Sequence, residues 1–293
     1  MSRAIENRKT TDKKILSGVS KRETCFYSLL LILSGILSGC CVKNDTICID
    51  SYDNTMKKTC NGSFTIASYN IRSFRKMDKT RNVEGTLLAL KTLQGDVCGL
   101  QEVRKYDNEK PSPLELAGER LSMKPFFCRT LRRDTFDYGI GVLSKFDAEL
   151  IADIKLPVAP GREPRSAQIL KINSPHGVFY FINTHLQNRY EEERIRQIKY
   201  IQEYAEKHGL CPAILTGDLN AAPGSAPIKL LEQKWKIIGD HTPTYPASGP
   251  KRKIDHIAVY PADAFEVISY ETVNDPETSD HLPIKAQLRM IRK

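Results

Sequence analysis

The chain has 293 residues, 40% hydrophobic and 27% charged, a composition that is ordinary for a globular protein of one large domain or two small ones. Its formal net charge is +9. Residues 1–39 hold seven basic and three acidic side chains, which leaves a net charge near +5 for the remainder. That modest excess suits an anionic substrate or surface but does not require a nucleic-acid partner.

The N-terminal segment predicts export. A stretch rich in lysine and arginine is followed by the apolar run Phe26–Leu37. This run of about 12 residues is too short to cross the roughly 30 Å hydrocarbon layer of a bilayer as a helix. The order of basic, apolar and small residues is typical of a secretory signal peptide, predicted over residues 1–39.

The end of that segment, Leu37-Ser38-Gly39-Cys40, resembles the lipobox of bacterial lipoproteins. The resemblance implies cleavage before Cys40 and acylation of its thiol, so that residues 40–62 form a lipid-anchored tether ahead of a domain over 63–293. Cys41 follows Cys40 in place of an Asp, which by the same resemblance favours an extracytoplasmic position on an outer membrane where the cell has one. The alternative is a plain signal peptide with a chance cysteine.

The remaining cysteines give no zinc-site spacing. In an exported protein some of them could pair, for example Cys48 with Cys60, and the pairing stays open. Cys98 and Cys211 lie in apolar, strand-like runs and are predicted to be small core residues.

From Phe64 onward the chain alternates strand and helix signals. Runs rich in Val, Ile, Phe and Tyr predict strands at 64–70, 97–101, 138–144, 166–172, 178–184, 213–217, 254–260, 265–271 and 283–289. Apolar residues at helical spacing predict helices over 82–93 and 190–207. No repeat or second linker interrupts the series, which indicates a single domain.

Polar residues stand where several of these strands end or begin, and such positions often gather binding groups. One such residue alone is usually a turn former or a helix cap. Together they supply hard oxygen ligands, an acceptor for a proton from water, and donors for phosphoryl oxygens. The residues are Asn70, Glu102, His185, Asp218, Asn220, Asp255, Asp280 and His281. The oxygen ligands favour Mg²⁺ or Mn²⁺, and the lack of a His/Cys ligand set argues against zinc.

The order and spelling of these segments resemble the endonuclease/exonuclease/phosphatase superfamily, over residues 64–289. The matching segments are Tyr-Asn-Ile-Arg, Leu-Gln-Glu-Val, Asn-Thr-His-Leu, Gly-Asp-Leu-Asn, Ile-Asp-His-Ile and Ser-Asp-His-Leu-Pro-Ile. The resemblance implies a four-layer α/β/β/α sandwich, in which two mixed, mainly antiparallel sheets are flanked by helices and share one pocket. It also implies a metal-dependent phosphoric ester hydrolase.

The same resemblance assigns roles to individual positions. It implies that Glu102 is the principal metal ligand, with Asn70 nearby and Asp280 as a further ligand, direct or through water. Asp218 is similar to the acid that orients or deprotonates the attacking water. Asn220, on the same turn, would donate to a phosphoryl oxygen in the transition state.

Two histidines receive partners from the resemblance. It implies that His281 faces the phosphate while Asp255 holds its other ring nitrogen, which favours the imidazolium. His185 would be a second imidazole at the phosphate, paired with an acid of an earlier strand, for which Asp137 is the candidate; the alternative is that Asp137 is a surface turn acid. His256 is expected to point away from the site, because neighbouring strand residues face opposite sides.

The substrate is less clearly indicated. Arg72 and Arg104 match DNA-contacting positions of pancreatic deoxyribonuclease, but many relatives without nuclease activity share them, while Arg165 is either a phosphate contact or a solvated turn charge. The low charge and single tryptophan argue against a DNA reader. A lipid tether favours phosphodiesters of lipid headgroups or small phosphorylated metabolites. An extracytoplasmic nuclease and a non-catalytic binding protein on the same fold are the alternatives; a monomer is expected.

Overall fold

A computed structural model describes residues 62–291. The predicted signal peptide and Cys40 lie outside the described residues, as does the predicted tether apart from Gly62. The described strands are β1 Phe64–Asn70, β2 Val97–Tyr106, β3 Lys124–Arg132, β4 Phe136–Ser144, β5 Asp147–Lys155, β6 Ser166–Ser174, β7 Gly177–His185, β8 Ala213–Asp218, β9 Lys236–Ile238, β10 Asp255–Tyr260, β11 Phe265–Thr272 and β12 Ile284–Met290. The helices are α1 Val83–Leu93, α2 Pro113–Leu121, α3 Glu191–Lys207 and α4 Ala226–Glu232.

The strands form two six-stranded sheets. Sheet 1 has the order β11-β12-β1-β2-β4-β3, and sheet 2 has the order β5-β6-β7-β8-β10-β9. β1 pairs with β2 in parallel and β7 with β8 in parallel, whereas the other pairs are antiparallel. Both sheets are therefore mixed and mainly antiparallel, as predicted.

Three hydrophobic clusters define four layers. One joins inward-facing residues of the two sheets, such as Phe64 of β1 and Phe181 of β7. A second packs α1 and α2 on the outer face of sheet 1, and a third packs α3 and α4 on the outer face of sheet 2. The predicted α/β/β/α sandwich is confirmed. Its helices cover the outer faces because their apolar residues recur on one side, as with Leu87, Leu90 and Leu93 of α1.

The sequence prediction missed β3, β5, β9 and the helices α2 and α4. β5 reads Asp-Ala-Glu-Leu-Ile-Ala-Asp-Ile-Lys at a sheet edge and is largely exposed, so it lacks the apolar run that marks a central strand. The start of α2 did carry a local signal, because Ser112 and Glu115 form a capping box around Pro113. Cys98 is buried as predicted, but the prediction for Cys211 was wrong, because its side chain is exposed.

Candidate active site

Six segments bring their polar residues to one edge of the two sheets. The parallel pairing of β1 with β2 ends there, with Asn70 opposite Gln101, and β7 and β8 end there with His185 opposite Asp218. The antiparallel strand β10 begins at the same edge, so that Asp255 also lies opposite Asp218. Strand direction and register thus collect residues that are far apart in the sequence.

Asp218 lies at the centre of this arrangement and is buried. Its Oδ2 accepts a hydrogen bond from Asn70 Nδ2 at 3.1 Å and lies 3.3 Å from His185 Nε2 and 3.6 Å from His281 Nε2. Its Oδ1 accepts the backbone N–H of Asn220 at 3.0 Å. Burial raises the pKa of Asp218 to about 7, which makes this carboxyl group able to exchange a proton near neutral pH.

His281 is held by two carboxylates. Its Nδ1 lies 2.9 Å from Asp255 Oδ2, and that same oxygen accepts the Thr244 hydroxyl at 2.5 Å. Burial alone would lower the pKa of His281, but the charges of Asp255 and Asp218 outweigh burial and raise this pKa to about 10. The predicted His281–Asp255 contact is present, and the ring is an imidazolium at neutral pH.

His185 has different neighbours from those predicted. Its Nδ1 lies 3.5 Å from Arg165 Nη1, and its Nε2 faces Asp218. Burial and the nearby charges of Arg165 and His281 lower the pKa of His185 well below its usual value, so this imidazole is neutral. The pairing of His185 with Asp137 was wrong. Cross-strand register places Asp137 opposite Arg132, whose guanidinium lies 3.5 Å from the Asp137 carboxylate.

Glu102 is aimed by an irregularity in β2. The register between β2 and β4 shifts between Leu100 and Val103, and Glu102 has a positive φ of 59°. A bulge of this kind redirects a side chain, and backbone strain of this kind is frequent at functional sites. Glu102 and Asp280 line the same pocket, and burial together with the Asp280 carboxylate raises the pKa of Glu102.

The donors around Glu102 suit a hard divalent cation. Glu102 and Asp280 offer carboxylate oxygens to the same pocket, and Asp280 also pairs with Arg72 Nε at 3.5 Å. Asn70 turns its Nδ2 toward Glu102 Oε1 at 3.3 Å and accepts the backbone N–H of Arg72 on its Oδ1. In this geometry Asn70 orients Glu102, and its role as a ligand stays a prediction.

A second cluster brings ligand-type atoms of Asp218, Asp255 and His281 within 4.8 Å of one another. Both ring nitrogens of His281 face carboxylates, and the raised pKa of about 10 keeps both protonated. A protonated imidazole offers no lone pair to a cation. We therefore interpret this buried cluster as a network of paired charges, with the cation expected at Glu102 and Asp280.

One polar cavity of about 420 Å³, here called the main pocket, is lined by Glu102, His185, Asp218, Asn220, Asp280 and His281. Arg165 lies on its wall and is buried, which rules out the solvated turn charge, while its contact with a phosphate stays a prediction. Arg72 and Arg104 are not among the lining residues. Arg72 is engaged with Asp280 and two backbone carbonyls, and Arg104 lies over the Phe136 ring, 4.6 Å from its centroid. The lining residues are Glu102, Tyr138, Glu163, Arg165, His185, Asn188, Arg189, Asp218, Asn220, Tyr245, Arg252, Ile254, Asp280 and His281.

Several pocket residues were missed from the sequence. Tyr245 tilts against His281 with ring centroids 4.8 Å apart, and Arg252 lies over the Tyr245 ring at 4.9 Å. Asn188 and Arg189 follow β7 by a few residues. All four lie in loops whose course local patterns do not fix, although Asn188 and Arg189 stand just beyond the motif that ends β7, which was an available signal.

Asn220 occupies a tight turn behind Asp218. It has a positive φ of 50°, and its Nδ2 donates to the carbonyl of Leu186 at 3.1 Å. Asn tolerates this left-handed conformation better than most residues. The turn brings the Asn220 side chain to the pocket wall. Its donation to a phosphoryl oxygen stays a prediction, because its Nδ2 is bonded to the Leu186 carbonyl.

A sequence model of the Endonuclease/Exonuclease/phosphatase family matches residues 67–281, the range that holds the site residues from Asn70 to His281. The chain belongs to this family. No curated protein matches it. The predicted superfamily membership is therefore confirmed.

Solved structures share the fold at low sequence identity. A family member from Beutenbergia cavernae is 19% identical, with a TM-score of 0.64 over 78% of this chain and 72% of that one. One from Bacteroides thetaiotaomicron is also 19% identical, with a TM-score of 0.64 over 79% and 99%. A Bacteroides thetaiotaomicron mannosyl-6-phosphatase is 20% identical, with a TM-score of 0.60 over 77% and 99%. No helix within residues 62–291 is long and apolar enough to cross a membrane.

Proposed function

We propose that this protein is a divalent-metal-dependent phosphoester hydrolase. The observation that carries the proposal is the buried Asp218 carboxylate, which faces His185 and His281 in a pocket that also contains Glu102 and Asp280. A proton acceptor, a cationic donor and a pair of hard oxygen ligands meet within one cavity. Each of these three functions accelerates the hydrolysis of a phosphate ester.

The site residues suggest a separate catalytic role for each group. Asp218, with a pKa near 7, takes a proton from the attacking water. His281, held as an imidazolium by Asp255, donates to a phosphoryl oxygen as negative charge develops. Mg²⁺ or Mn²⁺ bound by Glu102 and Asp280 would supply Lewis-acid stabilisation of that charge. Neutral His185 contributes hydrogen bonding without adding charge.

The pocket favours a small polar substrate. Its volume of about 420 Å³ and its lining of charged and polar side chains leave little apolar surface for an acyl chain. Trp235 is buried and stacks on Tyr260, so it offers no platform for a nucleobase. We propose a phosphodiester of a lipid headgroup or a small phosphorylated metabolite. One similar structure is named a mannosyl-6-phosphatase, and a phosphorylated sugar is a small phosphorylated metabolite of the kind proposed here.

A substrate panel tests the function. Bis-(nitrophenyl) phosphate, nitrophenyl phosphate, hexose phosphates, sphingomyelin-type lipids, RNA and plasmid DNA should be compared with Mg²⁺ or Mn²⁺. We expect cleavage of small esters, and Asp218→Asn should lower kcat by at least about 10³-fold, since it removes the proton acceptor. The control Asp134→Asn changes an exposed acid. DNA cleaved far faster than small esters would favour the nuclease alternative, and no cleavage of any substrate would favour a binding protein.

The N-terminal segment supports a proposal about where the protein is located in the cell. We infer from Cys40 and the segment before it that the mature domain is tethered to a membrane by lipid on the extracytoplasmic side. Mass spectrometry of the N-terminal peptide should show an acylated Cys40, and Cys40→Ser should release the protein from the membrane fraction. An unmodified Cys40 in the mature protein would contradict this proposal.

A further inference from the structure

A second cavity of about 260 Å³ adjoins the main pocket. It is here called the side cavity, and its lining includes Gly161, Arg162 and Tyr190. Glu163, Asn188 and Arg189 line both cavities, so the two share a rim. A phosphoryl group at Asp218 and His281 would occupy only part of the main pocket. Because the two cavities share these lining residues, the unfilled part of the main pocket and the side cavity together provide space for a group attached to that phosphate.

The charges around the side cavity leave one cation without a partner. Arg162 Nη1 lies 3.1 Å from Glu192 and 3.5 Å from Glu193. Glu163 on the shared rim pairs with Arg165 at 3.0 Å. Arg189 is exposed and makes no ion pair or hydrogen bond with the residues that the structure describes. It is therefore the uncompensated charge on the rim between the two cavities.

The rest of the side cavity is polar and partly aromatic. Asn188 brings an exposed side-chain amide to the shared rim. The half-exposed Tyr190 ring is fixed by the Arg162 guanidinium, which lies 3.3 Å from its centroid. Amide groups and aromatic rings suit hydroxyl-rich groups, and a free guanidinium suits an oxyanion. An acyl chain would find few apolar partners here.

We propose that the side cavity holds the alcohol portion of the substrate and that Arg189 binds a second anionic group on it. This proposal rests on the phosphoester hydrolase function. The substrate class is a phosphate ester of a polyhydroxylated alcohol, such as a sugar or a cyclitol, that carries a second phosphate or carboxylate. Arg189 is then a specificity determinant, because it contacts the substrate away from the reacting phosphorus.

Competition against a small reporter substrate tests the proposal. With the full protein and Mg²⁺, nitrophenyl phosphate or its bis ester reports turnover, while glucose 6-phosphate and glucose 1,6-bisphosphate compete for the site. We expect the bisphosphate to bind at least about tenfold more tightly than the monophosphate, the effect of one charge-assisted hydrogen bond. Arg189→Ala should bring the ratio of the two inhibition constants close to one, and Arg189→Glu should reverse the preference.

Two matched variants make the result specific. Lys199→Ala removes an exposed cation of the nearby helix α3 and should keep the full preference for the bisphosphate. Arg252→Ala removes the cation beside Tyr245 in the main pocket and should retain a preference of at least about fivefold, since the second anion lies in the side cavity. Loss of preference in Arg252→Ala but not in Arg189→Ala would overturn the proposal.

The outcomes also separate this proposal from the proposed function. Reporter turnover with equal inhibition by the two sugar phosphates would overturn the side-cavity proposal and leave the hydrolase function in place. Absence of reporter turnover would count against the hydrolase function. In that case calorimetric titration with the two sugar phosphates tests whether Arg189 binds the second anion. Tighter binding of the bisphosphate than of the monophosphate, with this difference lost in Arg189→Ala, would support the site.

Discussion

Gln101 and Asn183 meet between the two sheets, where the Gln101 side-chain amide donates to Asn183 Oδ1 over 2.7 Å. Asn183 in turn donates to the carbonyls of Leu100 and Gly141, so this one side chain ties sheet 2 to two strands of sheet 1. Gln101 directly precedes Glu102, and Asn183 stands two residues before His185. This buried link therefore holds the half of the site that contains Glu102 against the half that contains Asp218.

Replacing Asn183 with Leu should destabilise the protein and impair catalysis. The two carbonyls and the Gln101 amide would lose their buried partner, at a cost of about 3 kcal/mol in the free energy of unfolding. Urea denaturation measures the loss. Asn173→Leu, at an exposed position, should change stability by less than about 0.5 kcal/mol. Equal effects of the two substitutions would contradict this account.

The hydroxyl of Thr244 positions Asp255 behind His281. Thr244→Val keeps the shape of the side chain but removes the 2.5 Å hydrogen bond, which leaves the Asp255 carboxylate held only by His281 among the described residues. We expect kcat to fall about tenfold with little change in KM, because the imidazolium is aimed less well while the pocket is intact. Thr244→Ser should restore most of the rate. The exposed Thr92→Val serves as control, and a KM effect alone would argue against positioning.

Bound cation should stabilise the fold through Glu102. At about 100-fold excess over its dissociation constant, Mn²⁺ or Mg²⁺ should contribute about 2.7 kcal/mol and raise the melting temperature by about 5 °C. Glu102→Gln should abolish this shift. Without metal the variant should be at least as stable as the parent, since it removes a buried charge beside Asp280. Glu119→Gln, on the surface of α2, should retain the full metal shift. A full shift in Glu102→Gln would place the cation elsewhere.

His256 should make stability fall in mild acid. As predicted, it lies outside the lining of the main pocket; it is buried, and its Nε2 lies 2.8 Å from the Ala221 carbonyl. Burial lowers its pKa from 6.5 to about 4. Between these values the unfolded chain binds more protons than the folded one, so this contribution is complete above pH 6.5 and lost as the pH falls toward 4.

The corresponding measurement is the free energy of unfolding at several pH values. The parent should lose up to about 1.4 kcal/mol per pH unit across that window through His256. The glutamine of His256→Gln can still donate a hydrogen bond to the Ala221 carbonyl, and the free energy of unfolding of this variant should depend less on pH. Substitution of the exposed His208 should leave the pH dependence of the parent unchanged. Identical slopes for the parent and His256→Gln would rule out His256 as the source.

Much of the site follows from local patterns. A strand that begins or ends on a polar residue is visible in the sequence, and the six segments with Asn70, Glu102, His185, Asp218, Asp255 and His281 were all found in this way. Central strands were found because buried strands are apolar along their length. The exposed edge strand β5 was not, because its charged residues interrupt that signal.

The partner of each site residue, by contrast, was decided by register and tertiary packing. Asp137 was expected beside His185, but pairing of β3 with β4 directs it to Arg132, and Arg165 takes the place beside the imidazole. Arg189 lies on a loop, and its place between two cavities depends on how distant segments pack. The sequence alone thus determined the family and the groups that can carry the chemistry, because these are written in short segments. Only the packing of the sheets decided which charges are paired and which remain free for a substrate. The reason is that Coulomb and hydrogen-bond energies depend on distances between residues, and no local sequence pattern contains these distances.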